Sequence, residues 1–240
     1  MKASGYFVTG TDTEVGKTLI ASALIFNMKE NTANLKVSGF KPVVAGTYPN
    51  ETGQTCNEDL LSLIAASGLK QSQTDICPHI LDTPAAPHLV AKEMGLQLSV
   101  ASIFTALEPL LTQFNTVVVE GAGGFLVPLN EEESLADFAS ALGWPVILVV
   151  GMRLGCLNHA MCTLEAIERR GLKVAGWVAN TLEPHMRYQD ANLQDLQKRI
   201  KAPFLGCVPH LPKELQKHSH APYSLPAIAW CSKHLNLSAL

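Results

Sequence analysis

Six short apolar runs rich in β-branched residues, separated by longer stretches of helical periodicity, predict an α/β fold with a mostly parallel central sheet and helices on both faces. Several runs are apolar at consecutive positions, as strands covered on both faces should be. A glycine-rich turn joins the first run to the first helical stretch, and another follows the third run. Both lie where open α/β sheets collect ligands.

Tyr6 to Thr9 is the first predicted strand and Lys17 to Lys29 the first helix. Val37 to Phe40 is the second strand. The stretch Val44 to Asp82 is looser, with Gly46, Pro49, Gly53 and several Asn, Thr and Gln, and is expected to be a long excursion. Within it Asp59 to Ser67 keeps helical periodicity. There follow a helix over Val100 to Gln113, a strand at Thr116 to Glu120, and a helix at Leu135 to Leu142. Next come a strand at Val146 to Val150, a helix at Asn158 to Arg170 and a strand at Val174 to Asn180. A helix over Met186 to Ile200 carries Leu193, Leu196 and Ile200 on one face, and Phe204 to Val208 is the last strand. No repeat, low-complexity tract or dividing linker interrupts the pattern, so residues 1–240 are expected to form one domain.

Composition excludes several functions. With 18 Lys and Arg against 21 Asp and Glu, the formal charge is -3, too acidic for a chain that neutralises nucleic-acid phosphates. A hydrophobic content of 47% with 16% charged residues is that of a folding chain and not a disordered one. The uncharged run Phe138 to Met152 is shorter than the roughly 18 residues of a spanning helix and is broken by Gly143, Trp144 and Pro145. The N-terminus has no secretory h-region, so no membrane association and a cytoplasmic location are expected. The six cysteines include no CxxC pair and are expected to be reduced and mostly buried.

The strongest local signal is Gly10-Thr11-Asp12-Thr13-Glu14-Val15-Gly16-Lys17-Thr18. Between a strand and a helix, such a loop turns backbone N–H groups toward phosphate oxygens. Lys17 would supply a cation and the Thr18 hydroxyl a ligand for Mg²⁺. Five residues separate its two glycines, one more than in the common pattern. Glu120 ends a buried strand beside Gly121-Ala122-Gly123-Gly124, a place for a metal-binding carboxylate; the alternative is a solvated strand end. Asp59 opens an apolar helix, either as a second ligand or as a cap. Lys41, at the carboxyl end of the second strand in Gly39-Phe40-Lys41-Pro42-Val43, is placed to reach a transferring phosphoryl group or is an ordinary surface lysine.

Together the loop, the Lys41-Pro42-Val43 triplet, the Val119-Glu120-Gly121-Ala122-Gly123-Gly124 run and Gly155-Cys156-Leu157-Asn158-His159-Ala160 resemble the dethiobiotin synthetase family. The resemblance runs from Tyr6 to about Leu211, and the five-residue spacing is that family's own form of the P-loop. It implies a P-loop NTPase-like fold and an ATP- and Mg²⁺-dependent closure of a ureido ring from 7,8-diaminononanoate and CO₂. By position it makes Lys41, Lys17, Thr13 and Glu14 catalytic. Glu14, Val15, Gly16, Lys17, Thr18, Leu19, Asp59, Glu120, Gly121, Ala122, Gly123, Asn180 and Thr181 would bind ATP, with Asn180 reading adenine and Pro209, His210 and Leu211 beside the base. Thr18, Asp59 and Glu120 would hold the metal. Lys41, Pro84 and the helix start at Cys156, Leu157 and Asn158 would hold substrate, the last three across a homodimer interface.

Ala45 and Ala86 stand where the family often has serines, so side-chain hydrogen bonds are missing there. The stretch after Lys213 resembles the family only weakly. The side chains of His88, His159 and His210 are read as structural. Two other P-loop classes compete: partitioning-type switch ATPases, which carry an extra lysine early in the loop where this chain has Thr11, Asp12 and Thr13, and cobyrinate-type amide synthases, whose glutaminase the chain is too short to include.

Overall fold

The computed structural model describes residues 4–218 and 220–240. The chain runs β1 (Ser4–Gly10), α1 (Lys17–Asn31), β2 (Val37–Phe40), β3 (Val43–Ala45), β4 (Tyr48–Pro49), β5 (Thr55–Cys56), α2 (Glu58–Ser67), α3 (Gln73–Ile76) and β6 (His79–Leu81). It continues α4 (Pro87–Glu93), α5 (Val100–Gln113), β7 (Thr116–Glu120), α6 (Leu135–Leu142), β8 (Val146–Met152), α7 (Cys156–Arg169), β9 (Val174–Thr181), α8 (Gln189–Arg199), β10 (Phe204–Val208) and α9 (Leu225–Ser232).

Six strands form one sheet in the order β10-β9-β8-β1-β7-β2, every pair parallel. The central strands β7 and β8 are buried at every position, which is why Thr116–Glu120 and Val146–Met152 show no alternation. From β1 the chain crosses to β2 on one side, and from β7 it crosses back over β1 to β8. That reversal opens a crevice at the carboxyl ends of β1, β7 and β8.

Helix α1 begins in the crevice and is buried from Lys17 through Ile25, enclosed by the sheet, α2 and α9. A helix covered all round needs no polar stripe. The shorter helices are fixed by their ends: Ser99 caps α5 and Ser134 caps α6, each in a reciprocal box with the residue three further on. Gly143 and Gly68 close α6 and α2 in the left-handed conformation.

The strands expected at Val37 to Phe40, Thr116 to Glu120 and Phe204 to Val208, and the helices at Val100 to Gln113 and Leu135 to Leu142, match the observed bounds. Helix α8 starts at Gln189, not Met186, because Tyr188 before it is left-handed with φ 60°. Helix α7 starts at Cys156, two residues before the expected Asn158. The excursion Val44 to Asp82 is more ordered than its composition implies. Val43–Ala45 pairs in parallel with His79–Leu81, and Tyr48–Pro49 pairs with Thr55–Cys56. Helix α9, unforeseen in the sequence, is short, capped by Ser224 and packed on α1.

Ala86 is the N-cap residue of α4 and offers no side-chain hydrogen bond to the helix. Ala86→Ser should therefore stabilise the fold by about 0.5–2 kcal/mol. The check is urea unfolding: the midpoint should rise with an unchanged slope, and an unaltered midpoint would mean that the helix end is already satisfied.

Candidate active site

The crevice gathers four elements around one buried ammonium. Lys41 follows β2, and its backbone N–H donates to the Ile76 carbonyl at 2.8 Å, which fixes its direction. Its Nζ donates to Glu120 Oε1 at 2.6 Å and to Asp59 Oδ2 at 2.8 Å. Thr18 Oγ1, one residue inside α1, donates to the same Glu120 oxygen at 2.7 Å. Lys41 is 3% exposed and Glu120 0%, so neither a free surface lysine nor a solvated strand end describes them.

Asp59 is free to join because it does not cap its helix. Asn57 does, accepting from the N–H groups of Asp59 and Leu60. The cap alternative for Asp59 is corrected by the residue two places earlier; an Asn directly before Glu-Asp and an apolar run was the available signal.

Burial alone would lower the Lys41 pKa, but the negative charges of Asp59 and Glu120 win and hold it above the ordinary lysine range. Desolvation is the largest influence on Asp59 and would raise it, but the Lys41 charge, hydrogen bonds from Lys41 and Thr18 and the Lys217 charge together pull it below the usual carboxylate range. Complete burial pushes Glu120 up against the pull of Lys41. Lys17 is different: burial, and then repulsion from Lys41, lower it to about 8. Its Nζ rests on the Asp12 carbonyl at 2.8 Å.

The loop before α1 turns through two left-handed residues, Glu14 with φ 58° and Gly16 with φ 88°. Such alternation directs successive N–H groups into one concavity suited to an anion. Thr13 and Glu14 are exposed on its rim, while Val15 and Leu19 are buried beneath it. Gly121, Ala122 and Gly123 leave β7 alongside; a Cβ on Gly123 would lie 3.6 Å from Thr13 Oγ1. Glu120 Oε2 is buried without a hydrogen-bond partner among the described residues. With Thr18, Glu120 and Asp59 nearby, this spare oxygen makes a hard-oxygen donor set that fits a Mg²⁺-type cation.

Other expected residues fall into two groups. Thr181, Pro209, His210 and Leu211 line one cavity of about 630 Å³, with Gln189 and Lys213 on its walls. Asn180, next to Thr181, is turned to the loop, where its Nδ2 donates to the Val15 carbonyl at 2.9 Å. Cys156, Leu157 and Asn158 form the first turn of α7, whose N-cap Gly155 has φ 93°. Arg153, not anticipated from the sequence, ties that turn to the loop by an ion pair with Asp12. Pro84 is exposed and packs beside Gly46, which follows β3. Ala45 and Ala86, both near it, offer no side-chain hydrogen bond.

A nucleotide-binding loop at the switch point of a parallel sheet, with paired carboxylates and a lysine at the strand ends, defines a P-loop protein. Residues 4–217 match the model of the AAA domain family. Solved structures share the fold at low identity. They include the MinC:MinD cell division complex of Aquifex aeolicus (TM-score 0.57, 12% identity, 96% of this chain and 95% of that one) and a ParA family ATPase of Chlorobium tepidum TLS (0.57, 12%, 97% and 96%). Cobyrinic acid a,c-diamide synthase of Mycobacterium smegmatis is another (TM-score 0.54, 14% identity, covering 96% of this chain and 91% of that one). Sequence relatives are narrower in kind. The ATP-dependent dethiobiotin synthetase BioD of Aromatoleum aromaticum is 48% identical over 86% of this chain and 90% of its own length. That of Ralstonia nicotianae is 47% identical over 86% and 89%. The chain belongs to the dethiobiotin synthetase family.

The low value for Lys17 gives a pH dependence with a definite sign. Below about 8 the side chain is cationic and ready for a phosphate. Above that value it must first take up a proton, so ADP affinity should fall by up to about tenfold per pH unit. Calorimetry in buffers of different ionisation enthalpy would register the uptake. Equal affinity and no proton uptake from pH 7 to pH 9 would refute it.

Proposed function

We propose that this chain is an ATP-dependent dethiobiotin synthetase, joining CO₂ to the two amines of 7,8-diaminononanoate. The observation that carries the reading is the convergence of Lys41, Glu120, Asp59 and Thr18 beside the phosphate loop. One amine captures CO₂ as a carbamate. A carbamate oxygen then attacks the γ-phosphorus of ATP, ADP leaves, and a carbamic-phosphoric anhydride remains. The second amine attacks its carbonyl carbon, phosphate departs with the C–O bond pair, and the ureido ring closes.

The residues present suit this electrostatic problem. An anionic carbamate must approach an anionic phosphate, and only fixed positive charge makes that approach favourable. Lys41, held cationic by its two acids, supplies one charge where the new O–P bond forms. Lys17 supplies a second toward the β- and γ-phosphates. The loop N–H groups, with Thr13 and Glu14 on the rim, orient the reacting ends, while Gly121, Ala122 and Gly123 let them approach closely. Thr18, Asp59 and Glu120 would hold Mg²⁺, which when bound neutralises phosphate charge. Thr181, Pro209, His210 and Leu211 would enclose the base.

The first turn of α7 would take the carboxylate tail of the diamine on its free N–H groups. In this reading the α7 turn that holds the tail belongs to a second copy of the chain, across the interface from the crevice in which the diamine reacts. Leu154, 97% exposed, and Leu126, 53% exposed, are the large apolar side chains that a homodimer would cover. No helix of the described residues is long and apolar enough to cross a membrane. We place the reaction in the cytoplasm.

The direct test is ADP release from ATP with and without diaminononanoate and bicarbonate. The reading predicts stimulation that requires both; intact ATP binding without it would exclude the ring closure. Lys41→Gln should lower kcat by about 10²–10³ with ATP affinity changed far less, because the charge acts where charge develops. Equal losses in binding and turnover would reassign the lysine to nucleotide binding. Glu120→Gln should weaken the apparent Mg²⁺ affinity by about tenfold or more in a titration at fixed ATP. An unmoved titration would remove Glu120 from the ligands.

A further inference from the structure

Asn180 and Thr181 are consecutive at the end of β9, so their side chains leave on opposite faces. Thr181 faces the 630 Å³ cavity, where its Oγ1 accepts from Gln189 Nε2 at 3.2 Å. Asn180 faces the phosphate loop and is 6% exposed. Three contacts seat it there. Its Nδ2 donates to the Val15 carbonyl at 2.9 Å. The same nitrogen lies on the face of Gly16, where a Cβ would come within 2.1 Å of it. Its strand partner Gly151 is in turn covered by Val15, whose Cγ1 lies 2.7 Å from the place of a Cβ.

We infer that Asn180 is a positioning residue for the phosphate loop: its carboxamide holds Val15 and Gly16 in their binding shape. This rests on the nucleotide reading above and goes beyond reading the base. A carboxamide has two donors and an oxygen with two lone pairs. The bond to Val15 uses one donor and fixes which way the amide nitrogen faces. The loop depends on it because the buried Val15 carbonyl is costly to leave unpaired, and because Gly16 is held in a left-handed conformation at the point where α1 begins. If Val15 moves, the N–H groups of Gly16 and Lys17 no longer converge.

The test uses a probe without a base. Binding of Mg²⁺-tripolyphosphate and of ADP to the full chain is measured by calorimetry at pH 7.5 for wild type, Asn180→Ala and Asn180→Asp. Hydrogen exchange is followed at the amides of Val15 to Lys17. Both variants should weaken tripolyphosphate binding by about tenfold or more, the Asp variant further because it sets an acceptor against the Val15 carbonyl. Exchange should accelerate at Val15 to Lys17 while the sheet amides stay protected, which general destabilisation would not produce.

Weakened ADP binding with tripolyphosphate binding and loop exchange unchanged would overturn the inference and leave Asn180 a base reader only. Wild-type protein that binds neither probe would instead overturn the nucleotide reading itself. Should the variants not fold, wild-type protein serves: the Asn180 side-chain amide protons, followed by NMR, should be protected from solvent exchange relative to those of the exposed Asn34, and equal exchange overturns the inference.

Discussion

The structure of the crevice depends on one buried ion cluster. Glu120 is completely enclosed at the end of β7, and a carboxylate there is tolerable only with a cation in contact. Lys41 provides it and binds Asp59 as well. Satisfying that charge fixes geometry over a long stretch of chain, since β2, β7, α1 and α2 each contribute a group. Thr18 accordingly has its hydroxyl pinned to Glu120 before any ligand arrives. The carboxyl edge of the sheet is thus preorganised by electrostatics, while the hydrophobic core beneath it fixes only where the strands lie.

Much of this was legible in the sequence. Strands buried on both faces carry consecutive apolar residues, so Val117 to Val119 and Val146 to Val150 stood out, and the first ends at a charge that the sheet edge can use. The phosphate loop was legible because its glycines and lysine answer local requirements. What escaped was set by distant parts of the chain. Strands β3 and β6 are three residues each and become strands only by pairing with one another. Arg153 looked like any loop arginine until the fold brought it to Asp12, and the choice between ligand and cap for Asp59 turned on which of two neighbouring polar residues held the helix end.

Fold and family separate cleanly here. The MinC:MinD, ParA family and cobyrinic acid proteins share this fold at 12–14% identity, which shows that many sequences can be mounted on this frame. The loop itself is where this chain differs in kind. A partitioning-type ATPase would place a lysine among Thr11, Asp12 and Thr13. In this structure the region is organised around an acid: the Asp12 side chain accepts from the Thr13 N–H at 2.8 Å and pairs with Arg153. A cation in its place would face the arginine and lose the N–H bond, so the local network is incompatible with that alternative and not merely lacking it.

Two lysines in one crevice are made chemically distinct by their surroundings alone. Lys41 is ringed by acids and stays cationic; Lys17, equally buried, has a carbonyl for its nearest partner and another lysine as its neighbour. Environments that drive apart the proton affinities of like groups assign them different work. Lys41 carries a standing charge already balanced by the protein, so its field toward a ligand is partly spent on Glu120 and Asp59. The charge of Lys17 is only partly offset by Glu120, Asp59 and Asp12, which do not overcome burial and Lys41, and an arriving phosphate is the partner that would hold it in the protonated state. Phosphate binding and protonation of Lys17 therefore favour each other, and the loop gains its full positive field when there is an anion to receive it.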